Sequence, residues 1–174
     1  KISDFFTIFV SPGISKNHKL IKKAAKKNIR ISSDIELFWE NQSTRNTKQS
    51  ILGITGTNGK STIALMISSV LKTKPLGNYG NTILDNLDEK TKHFVIELSS
   101  FQLDYINNFK PNISIITNIN NDHLNYHKTF DNYFKAKINI SKNQDKEDFL
   151  ILNYDDENIK NYFKKKNDTK AEII

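Results

Sequence analysis

Lys60, Ser61 and Thr62 stand at the end of "ILGITGTNGKST" (51–62), where a β-branched apolar run meets a glycine-rich turn and then a helical pattern. That order suits a phosphate. Backbone N–H groups at a helix N-terminus point at an anion. Gly56 and Gly59 let the chain turn sharply and approach it closely. Lys60 supplies charge, and a hydroxyl of Ser61 or Thr62 can hold Mg²⁺. The helix end alone contributes about 0.3–2 kcal/mol, too little for a triphosphate, so the lysine and the metal must supply most of the rest. Yet the strict phosphate-loop pattern G-x-x-x-x-G-K-[ST] requires a glycine at position 54, which is Ile54.

Other candidates follow. Glu97 closes the apolar stretch "HFVIE", where an unpaired carboxylate is costly. Either a Mg²⁺ bridging to a nucleotide or a lysine partner resolves that cost, and position alone does not choose between them. His123 lies in "TNINNDHLNYH" just past an apolar run; a bare loop histidine is ordinarily solvated or hydrogen-bonded. His123 and His127 are spaced i, i+4, but a zinc site is not expected, because no third ligand or H-E-x-x-H pattern accompanies them. Lys137 falls off the apolar stripe Phe130, Phe134, Ile138, so periodicity makes it a surface lysine.

The elements that must position these residues alternate in type, the mark of a mostly parallel α/β sheet. Strands are expected at 5–10 (buried), 29–32, 50–55, 93–100, 112–118 and 148–153. Helices are expected at 16–28, from Ser33 or Asp34 as N-cap, at about 60–71 and at about 129–142. "PLGNYGNTI" (75–83) reads as a glycine-punctuated loop and the tail "YDDENIKNYFKKKN" as a solvated helix. The polar run 41–49 reads as a linker, dividing the chain into 1–42 and 43–174. In open α/β sheets ligands bind beyond the carboxyl ends of strands. The glycine loop, "ELSS" and "TNINNDH" all follow such ends.

Composition narrows the class. The net charge of +7 is nearly all lysine, with Arg30 and Arg45 the only arginines. Base-reading sites lean on arginine forks and stacked aromatics, so no nucleic-acid partner is expected. The chain has no cysteine, which excludes disulfides and thiolate metal sites. No apolar run approaches the roughly 18 residues of a membrane span. The expectation is a cytoplasmic, monomeric protein. The chain begins without methionine and stops abruptly at "AEII", so a piece of a longer protein is expected.

Taken together these segments resemble the Mur ligases, the ATP-dependent enzymes that build the peptidoglycan stem peptide. Their nucleotide loop, G-T-N-G-K-[ST], stands here as Gly56-Thr57-Asn58-Gly59-Lys60-Ser61 and lacks the first phosphate-loop glycine. "VSPGI" (10–14), "SDIELF" (33–38), "ELSSFQLD" (97–104), "TNINNDH" and "FKAKINI" resemble the D-glutamate-adding branch, collinearly over about residues 8–154. The resemblance implies a phosphate-loop-type central ATPase domain (43–174, incomplete) preceded by the end of a Rossmann-like, UDP-substrate-binding domain (1–42). A C-terminal D-glutamate-binding domain would be absent, and this piece alone inactive.

The resemblance further implies ATP held by Gly56, Thr57, Asn58, Gly59, Lys60, Ser61 and Thr62, with Lys60 on the β- and γ-phosphates. It implies two Mg²⁺ ions, one on Ser61 and Glu97, the other on His123 and a carbamylated Lys137. Ser11, Gly13, Asn78, Ser99, Gln102 and His123 would contact UDP-N-acetylmuramoyl-L-alanine. Tyr79 and Asn81 depart from the small or aliphatic residues more usual in that segment of the family. The implied reaction joins D-glutamate to the alanine carboxylate through an acyl phosphate. Alternatives are a relative with another amino-acid specificity, including the folylpolyglutamate type, and a nucleotide-binding module without turnover.

Overall fold

The computed structural model describes residues 2–44, 49–77, 80–87, 91–166 and 169–174. Asn78 and Tyr79, in the expected substrate loop, and residues 45–48 of the expected linker lie outside the described residues. In chain order the elements are β1 (Thr7–Phe9), α1 (Lys19–Ala25), β2 (Arg30–Ser32), α2 (Asp34–Ser43), β3 (Ser50–Thr55), α3 (Lys60–Leu71), β4 (Pro75–Gly77), β5 (His93–Glu97), α4 (Ser100–Leu103), β6 (Ile113–Ile116), α5 (Leu124–His127), α6 (Phe130–Ile138), β7 (Phe149–Leu152), α7 (Glu157–Lys165) and β8 (Glu172–Ile173). Among the described residues no helix is long and apolar enough to cross a membrane.

Two sheets result, both parallel. β1 pairs with β2, and six further strands run in the order β4-β5-β3-β6-β7-β8. The interior strands β3, β5 and β6 are buried on both faces, which explains their unbroken apolar runs. Register then fixes the geometry of the site. Ile54 lies opposite Glu97 and Thr55 opposite Ile116, so the loops after β5, β3 and β6 leave the sheet side by side. Chain order reverses across β3, where open α/β sheets place their ligands.

The apolar side chains sort into separate cores. Ile35 and Phe38 of α2 are buried with Phe94, Leu103 and Phe109 on one side of the large sheet. Ile54, Ala64, Val95 and Ile115 pack under α3 on the other. Val10 and Ile21 form a small third core with Tyr105, which reaches over from the end of α4. Glu36, fully buried in α2, accepts hydrogen bonds from the backbone N–H groups of Asn107, Asn108 and Phe109 at 2.7, 3.0 and 2.8 Å. A buried carboxylate is tolerable when charge-assisted bonds surround it in this way.

Several expectations need correction. The stretch 5–10 is not a buried strand: only Thr7–Phe9 pair, and Phe5, Phe6 and Phe9 are exposed because β1 and β2 bury one face only. The expected linker is helical through Ser43, with Gln42 buried. Part of the expected 75–83 loop is strand β4; its Pro75 is accommodated as the first residue of an edge strand. The 129–142 helix ends at Ile138 and tightens into a 3₁₀ turn over Asn139–Ser141. The tail helix is amphipathic rather than merely solvated: Ile159 is buried and Tyr162 packs on Phe134, with ring centroids 4.9 Å apart. Beyond it β8 adds an edge strand that was not expected.

Candidate active site

Ile54 belongs to the core beneath α3 and is fully buried, so the nucleotide-type loop begins only after β3 ends. Gly56 is required by crowding: a Cβ there would overlap Thr117 Oγ1 and sit 3.1 Å from Thr117 Cβ. Gly59 is required by conformation, since it N-caps α3 at φ +81. Between them the loop is clamped to the segment after β6. Thr57 N–H donates to the Asn118 carbonyl (2.8 Å) and Asn58 N–H to Asn118 Oδ1 (2.9 Å). The Asn58 carbonyl accepts from Thr117 Oγ1 (2.6 Å) and Asn118 Nδ2 (3.0 Å). The N–H groups of Thr57 and Asn58 are thus engaged within the protein. The first turn of α3 is where backbone donors lack intrahelical acceptors.

Lys60 folds over this loop, its Nζ donating to the carbonyls of Gly56 (2.9 Å) and Thr57 (3.0 Å). The neighbouring hydroxyls divide: Thr62 is exposed, while Ser61 Oγ donates to Glu97 Oε2 at 2.7 Å. Glu97 is 2% exposed at the end of β5. A carboxylate and a hydroxyl oxygen therefore meet at the start of α3, a pairing of hard oxygen donors that suits Mg²⁺.

Lys137 is the largest departure from the periodicity reading. It is 2% exposed, not a surface residue. α6 is buried on two sides. Phe130 and Phe134 run toward α7, whereas Tyr133 and Lys137 turn inward under the glycine loop. Lys137 Nζ donates to the Gly56 carbonyl at 2.7 Å and lies 4.8 Å from the centre of the Tyr133 ring. Burial first, and the positive charge of Lys60 second, push its pKa down from 10.5 to about 7, against the pull of Asp122 and Glu97. A lysine lowered this far has a substantial neutral, nucleophilic fraction near neutral pH, which an ordinary lysine lacks.

His123 N-caps the single turn of α5 at φ +49 and is half-exposed. Its ring lies 4.8 Å from Phe101 and 6.2 Å from Tyr133, and its Nε2 stands 3.5 Å from Asp122 Oδ2. His127 does different work: buried, it shares a 3.0 Å hydrogen bond with Ser100 Oγ, and burial depresses its pKa. Among the described residues no group of three or more His, Cys, Asp or Glu forms a metal cluster.

The expected substrate contacts are distributed less evenly. Ser99 and Gln102 form a reciprocal capping box at the start of α4, so their side chains are already hydrogen-bonded to one another. The turn carrying Ser11 and Gly13 is exposed and reaches the central unit through the Ile14 carbonyl, which accepts from Tyr105 OH at 2.9 Å. Asn78 lies outside the described residues, although Gly77 just before it is paired beside Glu97. Tyr133 was missed by sequence reasoning. It is 1% exposed and its OH is 3.0 Å from Thr57 Oγ1, joining α6 to the loop. Its i, i+4 spacing from Lys137 was the available signal.

The comparisons bear on this arrangement. The family model described as "Mur ligase middle domain" matches residues 54–174. A protein of Clostridioides difficile named UDP-N-acetylmuramoylalanine--D-glutamate ligase is 38% identical over 166 residues, covering 91% of this chain and 36% of the relative. A protein of the same name from Fusobacterium nucleatum is 44% identical over 156 residues, covering 86% of this chain and 36% of the relative. The chain thus spans 36% of the length of these relatives. Among solved structures, the MurF ligase of Thermotoga maritima in complex with ADP superposes with a TM-score of 0.61 at 12% identity, covering 99% of this chain and 50% of that one. A murein peptide ligase (MPL) structure from Neisseria meningitides gives 0.62 at 15% identity, covering 97% and 58%. These structural matches speak to the fold, and the family match speaks to descent. The chain belongs to the Mur ligase family.

Proposed function

We propose that this chain carries the nucleotide-binding centre of an ATP-dependent ligase that adds D-glutamate to UDP-N-acetylmuramoyl-L-alanine in bacterial peptidoglycan synthesis. In this reading residues 43–174 belong to the central ATP-binding domain and residues 1–42 to the end of the UDP-substrate domain. The observation that supports it most is the Ser61–Glu97 pair, 2.7 Å apart, beside Lys60 and the buried, low-pKa Lys137. The two relatives described above, 38% and 44% identical, carry the D-glutamate ligase name.

Lys60, together with the N–H groups opening α3, binds the β- and γ-phosphates of ATP. The donor set fits Mg²⁺: Ser61 and Glu97 would hold one ion, His123 and Lys137 as its carbamate a second. Such ions would supply positive charge between two anions that otherwise repel. Carbamylation needs only the neutral amine. Lys137 Nζ attacks the carbon of CO₂, an N–C bond forms, and a proton leaves to water, giving a carbamate anion. For an ordinary lysine, neutralisation near pH 7.4 costs roughly 4 kcal/mol. Burial of Lys137 has already imposed that cost on the fold.

The substrate's alanine carboxylate attacks the γ-phosphorus and releases ADP, leaving an acyl phosphate. The D-glutamate amine then adds to the acyl carbon, and the tetrahedral adduct loses a proton and expels phosphate. Ser11, Gly13, Asn78, Ser99, Gln102 and His123 would orient UDP-N-acetylmuramoyl-L-alanine. Because Ser99 and Gln102 are held in a capping box, they would act as a preset surface. The test is ADP release by the full-length protein. Release should require UDP-N-acetylmuramoyl-L-alanine and D-glutamate together. Release indifferent to D-glutamate would point to another amino-acid specificity and contradict the proposal.

A further inference from the structure

The N-terminal turn is gripped by polar side chains from two helices that spring directly from the catalytic edge. Tyr105 OH donates to the Ile14 carbonyl at 2.9 Å, and Tyr126 OH approaches the same oxygen at 3.3 Å. Tyr126 OH also lies 3.4 Å from Asp104 Oδ2, while Asp104 Oδ1 pairs with Lys16 at 3.0 Å. Lys16 sits 5.5 Å over the Tyr105 ring. Residues 14 and 16 of the turn are therefore both held, immediately after Ser11 and Gly13.

The origin of these side chains matters. Asp104 caps the C-terminus of α4, whose N-cap is Ser99, and Tyr105 follows it. Tyr126 belongs to the one-turn helix α5, and its N–H bonds to the His123 carbonyl at 3.0 Å. A shift of the N-terminal turn is thereby coupled to the segments that carry Ser99 and His123. Next to the contact runs a crevice of about 270 Å³ lined by Ser15, Lys16, Asp104, Tyr126 and Lys128, among others. The crevice leaves one side of the turn open, while the Tyr105 ring packs with Val10 just before it. Burial, reinforced by the Asp104 charge, raises the pKa of both phenols, so both remain donors over the working pH range.

We propose that Asp104, Tyr105 and Tyr126 are positioning residues that set the Ser11–Gly13 turn against the catalytic edge, and so fix the uridine-diphosphate end of UDP-N-acetylmuramoyl-L-alanine. The inference rests on reading that turn as part of the UDP-substrate site. No atom of the grip touches the phosphate loop among the contacts described, so ATP binding should be indifferent to it.

The test uses the full-length protein with Tyr105→Phe and Tyr126→Phe combined, which keeps both rings and their packing. The loss of two modest hydrogen bonds should raise KM for UDP-N-acetylmuramoyl-L-alanine about tenfold. KM for ATP should stay within about twofold. An unmoved KM for the nucleotide-sugar substrate, or KM values that rise together, would overturn the grip. Should the double variant prove unstable, Lys16→Gln with Asp104→Asn decides by the same ratio of KM values. A wild-type enzyme that does not need the UDP substrate would overturn the functional reading itself; an active wild type with unmoved variants overturns the grip alone.

Discussion

Lys137 shows what burial does to a single residue. Held 2% exposed against Tyr133 and the Gly56 carbonyl, it titrates near 7 instead of 10.5. The shift has a thermodynamic consequence with a definite sign. Above about pH 10.5 the amine is neutral in both folded and unfolded chains, and it costs nothing. As pH falls below that value the unfolded chain takes up a proton that the folded chain refuses until about pH 7, so stability declines across that window and then levels. Lys137→Met, similar in reach but uncharged, should therefore abolish turnover yet stabilise the fold by about 1–4 kcal/mol at pH 7. Denaturant melts of the two full-length proteins in CO₂-free buffer, from pH 6 to 10, check this. The stability gap should shrink as pH rises, and a methionine variant less stable at pH 7 would contradict it. The sequence could flag Glu97 as a costly carboxylate at a strand end because a single apolar run surrounds it. Lys137 was not legible that way. Its helix buries two faces, and a stripe drawn through Phe130, Phe134 and Ile138 finds only one of them.

At the scale of elements, the position at which the common phosphate-loop pattern has its first glycine falls inside β3, at Ile54. Ile54 is a core residue packed with Ala64, Val95 and Ile115, and the turn is compressed into the residues between Gly56 and Gly59. Both glycines have positive φ, and Gly56 is crowded as well. Gly59→Ala would meet no atom within 4 Å and should lose only the cost of a left-handed alanine, about 1–2 kcal/mol. Gly56→Ala must displace Thr117 and its bond to Asn58, and should cost more, about 2–4 kcal/mol. Urea unfolding of both variants compares them directly; a Gly56 variant more stable than the Gly59 variant would refute this account of the loop. The glycine loop, α3 and the buried strands were legible because their periods and caps are local. β4, β8 and the short pairing of β1 were not. A strand of two or three residues is defined by its neighbour in the sheet, and Pro75 gives the local signal of a turn.

At the scale of the molecule, pairing register turns separate segments into one centre. Side-by-side pairing of β5, β3 and β6 sets Glu97, the loop and the Thr117–Asn118 clamp at one edge of the sheet. α2 joins them from the N-terminal side, with Glu36 buried in the N–H groups of residues 107–109 and Ile35 and Phe38 in the central core. The expectation that ligands gather beyond strand ends needed only the order of elements. The clamp by Asn118 and the inward turn of Tyr133 needed their spatial neighbours. On the proposed function, this edge presents the γ-phosphate of ATP to a carboxylate. A crystal structure of the full-length protein with UDP-N-acetylmuramoyl-L-alanine, a non-hydrolysable ATP analogue, Mg²⁺ and bicarbonate tests it most directly. The expected structure has Lys60 on the γ-phosphate, Glu97 and His123 converging on it through bound cations, and a carbamate on Lys137 Nζ. A γ-phosphate remote from these residues, with Lys137 unmodified and still bonded to the Gly56 carbonyl, would contradict it.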